Sequence, residues 1–491
     1  MKTTIVFSLS STYRPRSVVA SLALDQKALG HEVEVVDITD FSHIIQDLPP
    51  TWFAKLCGET VHSRNLCAFL TENEIGYSML TRGANSPELP PGVANELEDA
   101  VRSELVTYLR DDQPPGLNRA TSRLESDISR AAFSLFRKFS EYLKENRSDR
   151  ILIPNGRVAH QRLALLAALD AGIQAEYYET GRATPNSYYL GSHQVHDRIG
   201  TQRIVKAVTK NLSDEDCRKE AMQWLEKRQA TDSSINPFSR GWNASPTGND
   251  QESVKPTAVF FTSSVDEFAS YGAEWQNHMW KNQFEAFQTI LAKLQQGSFN
   301  CVLRVHPNLV NKSRQYVRRE KLEISALKSK FPHLKVLWHT SSDNSYDLIK
   351  KADLIFVGRS TLGLEASCLG KSVWVTTSAR YDDSADVKRL LSPDDVDSDS
   401  LVPWQAKPQG AHRFIASWVL QDHPLSVQES QWSSWDSARA PFAIRVGNLL
   451  VRNSLRHKLH LIMLEVTRLT NQWDGKRLEF LEGLGQSPLG K

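Results

Sequence analysis

Residues 301–376 constrain what this 491-residue chain can fold into more than any other stretch. Residues 301–308 read CVLRVHPN, a short apolar run that ends in a turn. Residues 352–366 read ADLIFVGRSTLGLEA, a buried-strand pattern that runs through a small-residue turn into a helix, and residues 370–376, GKSVWVT, form a further strand. Short apolar runs bounded by turn residues and separated by helical segments describe a βαβ block. Its strand ends carry the polar groups, and open α/β sheets bind ligands at those ends.

The rest of the chain repeats this grammar. Residues 3–10 read as a strand and Val18–Leu29 as a helix, with Val18, Leu22 and Leu29 at helical spacing. Residues 30–37 (GHEVEVVD) are a helix stop and a second strand ending in a carboxylate. Residues 41–113 show no clean period, although proline-rich breaks at 86–92 and 111–116 bracket one helix. A long amphipathic helix follows over Ala120–Asn146, with Leu124, Ile128, Leu135, Phe139 and Leu143 on one stripe. Together they read as a helical insertion over about 41–147.

Arg150–Pro154 is then a strand, Asn155 to Arg157 a turn and Val158–Ala171 a helix. Residues 172–182 are a strand ending in an acidic turn with Glu179 and Arg182. In a parallel sheet these polar residues share one crevice. Two helical segments follow, the second opened by Ser213 and an acidic first turn. Ser, Asn, Gly and Pro dominate 233–256, the composition of a linker. The pattern restarts with a strand at 258–262 and a polar turn carrying Ser263, Ser264, Asp266 and Glu267. The expected divisions are an N-terminal domain over 1–240, a linker over 241–256, a second domain over 257–405 and a C-terminal helical segment over 406–491.

Composition removes several function classes. Lys and Arg total 59 against 57 Asp and Glu, a net charge of only +2, so no basic field makes nucleic acid the default partner. Cys57, Cys67, Cys217, Cys301 and Cys368 are scattered and never form a CxxC pair. That speaks for a reducing compartment and against a disulfide framework or a zinc site. The N-terminal apolar run is too short for a signal peptide, and no run approaches the ~18 apolar residues of a membrane span, so a cytoplasmic protein is expected. There is no GxxxxGK[ST] loop, no GxGxxG in the first βα turn, and neither HExxH nor GxSxG. No metal and no bound cofactor are expected.

Ser360 and Thr361 stand between a strand and a helix, where free backbone N–H groups and the positive helix end suit phosphate oxygens. A plain helix cap is the competing reading. Glu365 lies four residues after Thr361 and five after Ser360, one place or more beyond a capping box. It sits instead a turn inside the helix, within reach of ribose hydroxyls. Pro307 ends a strand and presents His306 at its carboxyl end, beside Arg304 and Asn308, as a donor to phosphate. Glu179, between Tyr178 and Thr180, is the leading catalytic carboxylate, because partial desolvation raises a carboxylate toward general-base values. A surface ion pair with Arg182 is its ordinary alternative. Asp266 and Glu267 compete for the same role, against the reading of an acidic helix start. In the C-terminal part, Arg445, Arg452, Arg456, Lys458 and Arg468 among Leu, Ile and Met describe either a helix on an anionic membrane or one packed across the domains.

Residues 304–308 (RVHPN), 344–353 (NSYDLIKKAD), 358–366 (GRSTLGLEA) and 370–373 (GKSV) resemble the capsule and surface-polysaccharide glycosyltransferases. These are GT-B proteins, similar to the Kdo transferases of capsule assembly. Residues 262–268 (TSSVDEF) resemble the opening of the donor-binding half, and the likeness extends loosely to Asn155–Arg157 and Tyr178–Gly181.

The resemblance implies an α/β, GT-B-like fold: two Rossmann-type domains facing a central cleft, with a C-terminal helical segment. It implies a nucleotide-sugar donor on the second domain, bound by Ser263, Ser264, Arg304, Asn308, Tyr346, Arg359, Ser360, Thr361 and Glu365. Catalysis would fall to Glu179 and His306, and the acceptor side to Asn155, Arg157, Arg182, Asp266 and Glu267. No metal is needed, since the helix end and His306 offset the leaving phosphate's charge. Arg359 stands where an acidic or small residue is usual in the family, so a CMP-linked acid sugar such as Kdo, a UDP-sugar and a GDP-sugar all stay open as donors. The acceptor would be a glycan or glycolipid, reached at the inner face of the cytoplasmic membrane through the basic C-terminal helix. A polyol-phosphate transferase using a CDP-alcohol and a non-catalytic GT-B-like scaffold are the alternatives.

Overall fold

Buried runs of Val, Ile, Leu and Phe build two separate sheets in the computed structural model. It describes residues 1–8, 14–42, 63–82, 90–113, 119–184, 186–230, 255–267, 275, 278–294, 298–397, 399–428, 430–432 and 455–483. By its contacts the chain divides into two units: 1–109, 113–197 and 421–463 in the first, and 110–112, 198–420 and 464–491 in the second.

The first unit runs β1 (Lys2–Phe7), α1 (Pro15–Ala28), β2 (Glu32–Asp37), α2 (residues 63–72), β3 (Gly76–Met79), α3 (Pro91–Leu109), α4 (Arg119–Glu145), β4 (Arg150–Pro154), α5 (Ala159–Asp170), β5 (Gln174–Thr180) and β6 (Ser187–Gly191). The strand Asp422–Pro424, β13 in chain order, returns to it. The sheet order is β13-β6-β5-β4-β1-β2-β3; β1 to β5 pair in parallel, and β6 and β13 antiparallel. The five parallel strands therefore follow the doubly wound order, which reverses between β1 and β4.

Residues 41–147 are not an insertion. β3 extends the sheet in register with β2, from Glu34 opposite Gly76 to Asp37 opposite Met79. Val101 and Leu105 of α3 and Leu135 and Phe139 of α4 share one core with Ile151, Ile153 and Leu163. Edge strand β3 reads GYSM and is never fully buried, so it offers no period from which to recognise it.

The second unit begins with two helices, α6 (Arg198–Val208) and α7 (Asp214–Gln229). It continues β7 (Thr257–Phe261), α8 (Gln283–Lys293), β8 (Asn300–Arg304), α9 (Arg314–Lys330), β9 (Lys335–Leu337), α10 (Ser345–Lys351), β10 (Leu354–Val357), α11 (Thr361–Cys368), β11 (Val373–Val375), β12 (Lys388–Arg389), α12 (Gln409–Gln421) and, from residue 464 on, α13 (Leu455–Gly483). Every strand pair is parallel, in the order β12-β11-β10-β7-β8-β9, with the switch point between β7 and β10. Phe260, Phe356 and Trp374 stack across three neighbouring strands, with centroids 4.8 and 5.0 Å apart. That is the interstrand spacing, so one aromatic row fills one face of the sheet. Local signals fix the helix starts: Asn282 caps Phe284 and Glu285, Ser313 caps Tyr316, and Ser213 forms a capping box with Asp216.

These are the two Rossmann-type units expected from the sequence. Their limits differ from that expectation. α6 and α7, expected in the N-terminal domain, belong to the second unit: Trp224 of α7 meets Trp418 of α12 edge to face at 6.1 Å, and Arg413 pairs with Asp214 at 2.7 Å. The segment 406–491 is not one appended helical piece, because β13 joins the first sheet while α12 belongs to the second unit. Arg445, Arg452 and most of the linker lie outside the described residues, as do the side chains of Arg456 and Lys458.

Candidate functional site

In the second unit the carboxyl ends of β7, β8 and β10 carry Ser263 and Ser264, His306 and Asn308, and Arg359 to Thr361 respectively. The loops after β7 and β10, on either side of the switch point, are joined directly: the Arg359 backbone N–H donates to Ser263 Oγ at 3.1 Å. Gly358 permits this approach, since a Cβ there would lie 2.9 Å from Ser263 Oγ. Ser263 is held in turn by Gln283, whose Oε1 accepts the Ser263 N–H at 2.8 Å and whose Nε2 donates to the Ser263 carbonyl at 3.2 Å. Ser264 is buried beside it.

Ser360 is a helix cap in the strict sense. Its Oγ accepts the Leu362 N–H at 3.3 Å, and its carbonyl accepts both the Gly363 N–H and the Tyr381 hydroxyl. Thr361 opens α11 with its side chain exposed. Arg359 is half-buried, its Nε donating to Thr377 Oγ1 at 3.2 Å. The start of α11 with its exposed threonine, and a guanidinium two residues before it held by Thr377, are groups that favour anionic oxygen.

His306 follows β8, tied to β7 by its backbone N–H on Thr262 Oγ1 at 2.8 Å. Its Nδ1 accepts the Asn308 N–H at 3.1 Å, which assigns the hydrogen of the neutral ring to Nε2. The residue as a whole is half-buried. Even so, burial, then Lys312 and Arg304, against the opposing pull of Asp266, push its pKa down to about 3. His306 is therefore a neutral hydrogen-bond donor and not a phosphate-pairing cation. Asn308 also accepts from Asn311 Nδ2 at 2.9 Å.

Four nominated residues are engaged elsewhere. Arg304 is buried, with Nη1 on the Trp338 carbonyl at 2.6 Å and Nη2 on the Ser341 carbonyl at 3.1 Å. Burial lowers its pKa to about 10, and it braces the turn after β9 instead of facing a ligand. Glu365 has no exposed surface: Tyr346 donates its hydroxyl to Oε2 at 2.5 Å, and Arg228 Nε lies 3.4 Å from Oε1. A carboxylate enclosed in this way does not reach a ribose, and Tyr346 is committed with it. Burial opposes the Arg228 charge, but Glu365 and Tyr346 prevail and raise its pKa. Asp266 forms a buried ion pair with Lys312 at 2.7 Å and is no free base. The Glu267 side chain lies outside the described residues.

A buried residue that the sequence did not single out stands behind the β7 loop. Glu320 of α9 accepts from Gln283 Nε2 at 3.4 Å and interacts with Tyr316, whose hydroxyl accepts the Val265 N–H at 3.1 Å. Both contacts of that loop therefore end on one carboxyl, which burial, and then Asp112, push up to about 8. The available signal was a glutamine directly after a helix cap and a glutamate on the apolar side of the next helix.

In the first unit, Glu179 and Asn155 do meet at the ends of β5 and β4. Asn155 Nδ2 donates to Glu179 Oε2 at 2.5 Å and lies 3.3 Å from His196 Nε2, a residue not anticipated. Asn155 has φ 50°, and Gly156 follows at φ 80°, so the turn aims the amide back over the strand ends. The Arg182 guanidinium lies 4.0 Å over the Tyr189 ring. Its backbone N–H and that of Ala183 donate to Asp422 of β13 at 3.0 and 2.6 Å. Arg157 points to α3, donating to Ser103 and Thr107 at 2.9 and 3.1 Å, and is a fold residue.

The switch point of this first sheet holds a different group. Ser8 Oγ lies 3.3 Å from His160 Nε2, and His160 Nδ1 lies 3.1 Å from Glu104 Oε2, all three fully buried. Glu104 also accepts the His160 backbone N–H in the first turn of α5 at 3.4 Å, a carboxylate at a positive helix end. Among the described residues no group of His, Cys, Asp and Glu is placed to hold a metal ion.

Against known proteins, no family model matches the sequence, and no curated protein does. Among solved structures the chain is similar to two capsular Kdo transferases, the KpsC proteins of Thermosulfurimonas dismutans. The KpsC β-Kdo 2,4 transferase matches at 16% identity over 52% of this chain and 76% of that one, with a TM-score of 0.36. The β-Kdo 2,7 transferase matches at 15% over 60% and 84%, with a TM-score of 0.35. The UDP-GlcNAc 2-epimerase of Neisseria meningitidis, solved with UDP-GlcNAc, matches at 14% over 86% and 100%, with a TM-score of 0.32. None of these likenesses carries a residue's role over to this chain.

Proposed function

We propose that the chain is a metal-independent glycosyltransferase that moves a sugar from a nucleotide-sugar donor to a glycan or glycolipid acceptor of a surface polysaccharide. The observation that carries the reading is the second sheet's switch point. There the Ser263–Arg359 bond joins two loops beside an exposed Thr361 at the start of α11, with neutral His306 at the end of the strand next to β7.

The proposed donor-binding set is thereby reduced to Ser263, Ser264, Asn308, Arg359, Ser360 and Thr361. When the bond from sugar to phosphate breaks, its electron pair goes to the phosphate oxygen. The α11 end, Arg359 and the His306 Nε2–H are the groups that answer the charge developing there. Glu179 is the proposed base that takes the acceptor hydroxyl's proton, with Asn155 orienting its carboxylate. A glycolipid acceptor brings the enzyme to a membrane surface, and peripheral contact with the inner face of the cytoplasmic membrane belongs to this proposal. No described helix is long and apolar enough to cross a membrane.

Turnover of CMP-Kdo, UDP-sugars, GDP-sugars and CDP-glycerol tests the reading. One nucleotide-sugar should be consumed, equally with and without chelator. Glu179→Gln and His306→Ala should each lower kcat by about 10²–10⁴-fold, and Glu179→Gln should still bind donor in calorimetry. Undiminished turnover in both variants moves the site elsewhere. Use of CDP-glycerol alone makes the protein a polyol-phosphate transferase, and failure to bind any nucleotide makes it a scaffold.

A further inference from the structure

Helix α13, Leu455–Gly483, packs one face on the second unit and turns large apolar side chains outward on the other. On the inner side Asn471 and Leu478 are buried, at 2% and 8% exposure. Asn471 Nδ2 donates to the Lys312 carbonyl at 2.9 Å, and its own carbonyl lies 3.0 Å from His339 Nε2. At 100° per residue, Val466, Leu469, Trp473 and Phe480 stand roughly 160–220° around the axis from Asn471. They are 44%, 51%, 65% and 67% exposed, and Met463 near their edge is 56% exposed. Single exposed apolar residues are ordinary, but a stripe of large ones along one helix face marks an interaction surface.

The charges sort with the faces. Asp474, Glu479 and Glu482 turn inward, to Lys321 at 3.1 Å, Thr340 at 3.3 Å and Lys328 at 2.7 Å. Lys476 and Arg477 are exposed and fall at roughly 140° and 240°, one on each side of the stripe. Among the described side chains of residues 466–482, the outward face is thus apolar and aromatic with cationic borders and no acid. A twofold pairing through this face would set the same cations of two copies against each other. A bilayer interface rich in anionic lipid meets both features, since it takes Trp and Phe at headgroup depth and attracts the flanking Lys and Arg.

We infer that the outward face of α13, formed by Val466, Leu469, Trp473 and Phe480 between Lys476 and Arg477, is the surface by which the protein lies on an anionic membrane. The inference rests on the peripheral-membrane part of the function proposed above and not on the sugar-transfer chemistry. The stripe places the helix in the interfacial plane, with its inner face still packed on the second unit.

Flotation of the full chain with vesicles of phosphatidylcholine, with and without phosphatidylglycerol, tests it. The wild type should float with the anionic vesicles, and less so as salt is raised. Trp473→Ala with Phe480→Ala should reduce the bound fraction at least about tenfold, and so should Lys476→Glu with Arg477→Glu, an exposed pair off the packed face. The thermal midpoint of both variants should match the wild type. Anionic binding that survives both variants overturns this face while leaving membrane association standing. A wild type that floats with neither vesicle overturns both. If the aromatic variant instead abolishes self-association in light scattering and leaves vesicle binding unchanged, the face is a protein interface and the inference is wrong.

Discussion

The two sheets share the order of their inner strands but use their switch points in opposite ways. In the second unit, the loops beside the reversal are joined by the Arg359 N–H on Ser263 Oγ, and a helix start with an exposed threonine stands next to it. In the first unit, the end of β1 and the start of α5 are closed by Ser8, His160 and Glu104, which have no exposed surface. Its half-exposed polar pair stands beside them, with Asn155 in the loop after β4 and Glu179 at the end of β5. The same topology therefore provides a place for a ligand but does not decide whether it stays open. Side chains from a neighbouring helix can fill it, as Glu104 of α3 does here. The two glycines after the fourth strand of each order show the same division: Gly156 serves a left-handed turn at φ 80°, and Gly358 serves a close approach of 2.9 Å.

That contrast can be broken by mutation. His160→Ala removes a partner from buried Glu104, and a buried acceptor deprived of a partner costs on the order of 1–3 kcal/mol. The first transition in urea should shift to lower concentration, with donor binding unaffected. If donor binding is lost and the transition stays in place, the first switch point is a ligand site after all. Gly358→Ala places a methyl against Ser263 Oγ and should weaken donor affinity about tenfold, roughly 1.4 kcal/mol, at an unchanged unfolding midpoint. A lower midpoint at unchanged affinity would instead make the joined loops a scaffold feature.

The smallest effects concern pH. Glu320 is raised from 4.5 to about 8, so the folded protein keeps a proton that the unfolded chain has released. Its stabilising share is complete below pH 4.5 and is lost as pH rises through about 8. Glu320→Gln should flatten the alkaline side of a stability profile. His306 is depressed from 6.5 to about 3, so its share is complete above pH 6.5 and lost as pH falls through about 3. His306→Asn should flatten the acid side. Midpoints measured across that range, showing both slopes unchanged, would remove Glu320 and His306 from the account of how these loops are held.

Local chemistry was legible in the chain. The strand at 354–357, the cap at Ser360, the turn at Pro307 and the cap with its acidic first turn at Ser213 each depend on residues a few places apart, and each stands in the structure. The paired βαβ units followed from the same short-range periods. Tertiary structure decided which polar residues stay available. Arg304 and Arg359 look alike in sequence, yet one is spent on the carbonyls of Trp338 and Ser341 while the other stands half-buried at a helix start. Glu365 was promising by its offset from the cap, but Arg228, brought over by a helix expected in the other domain, closes on it. Asp422 holds the turn at Arg182 from 240 positions away. Spacing carries no trace of such partners, because a buried charge takes whichever opposite group the topology delivers, while a cap or a strand is satisfied by its own neighbours.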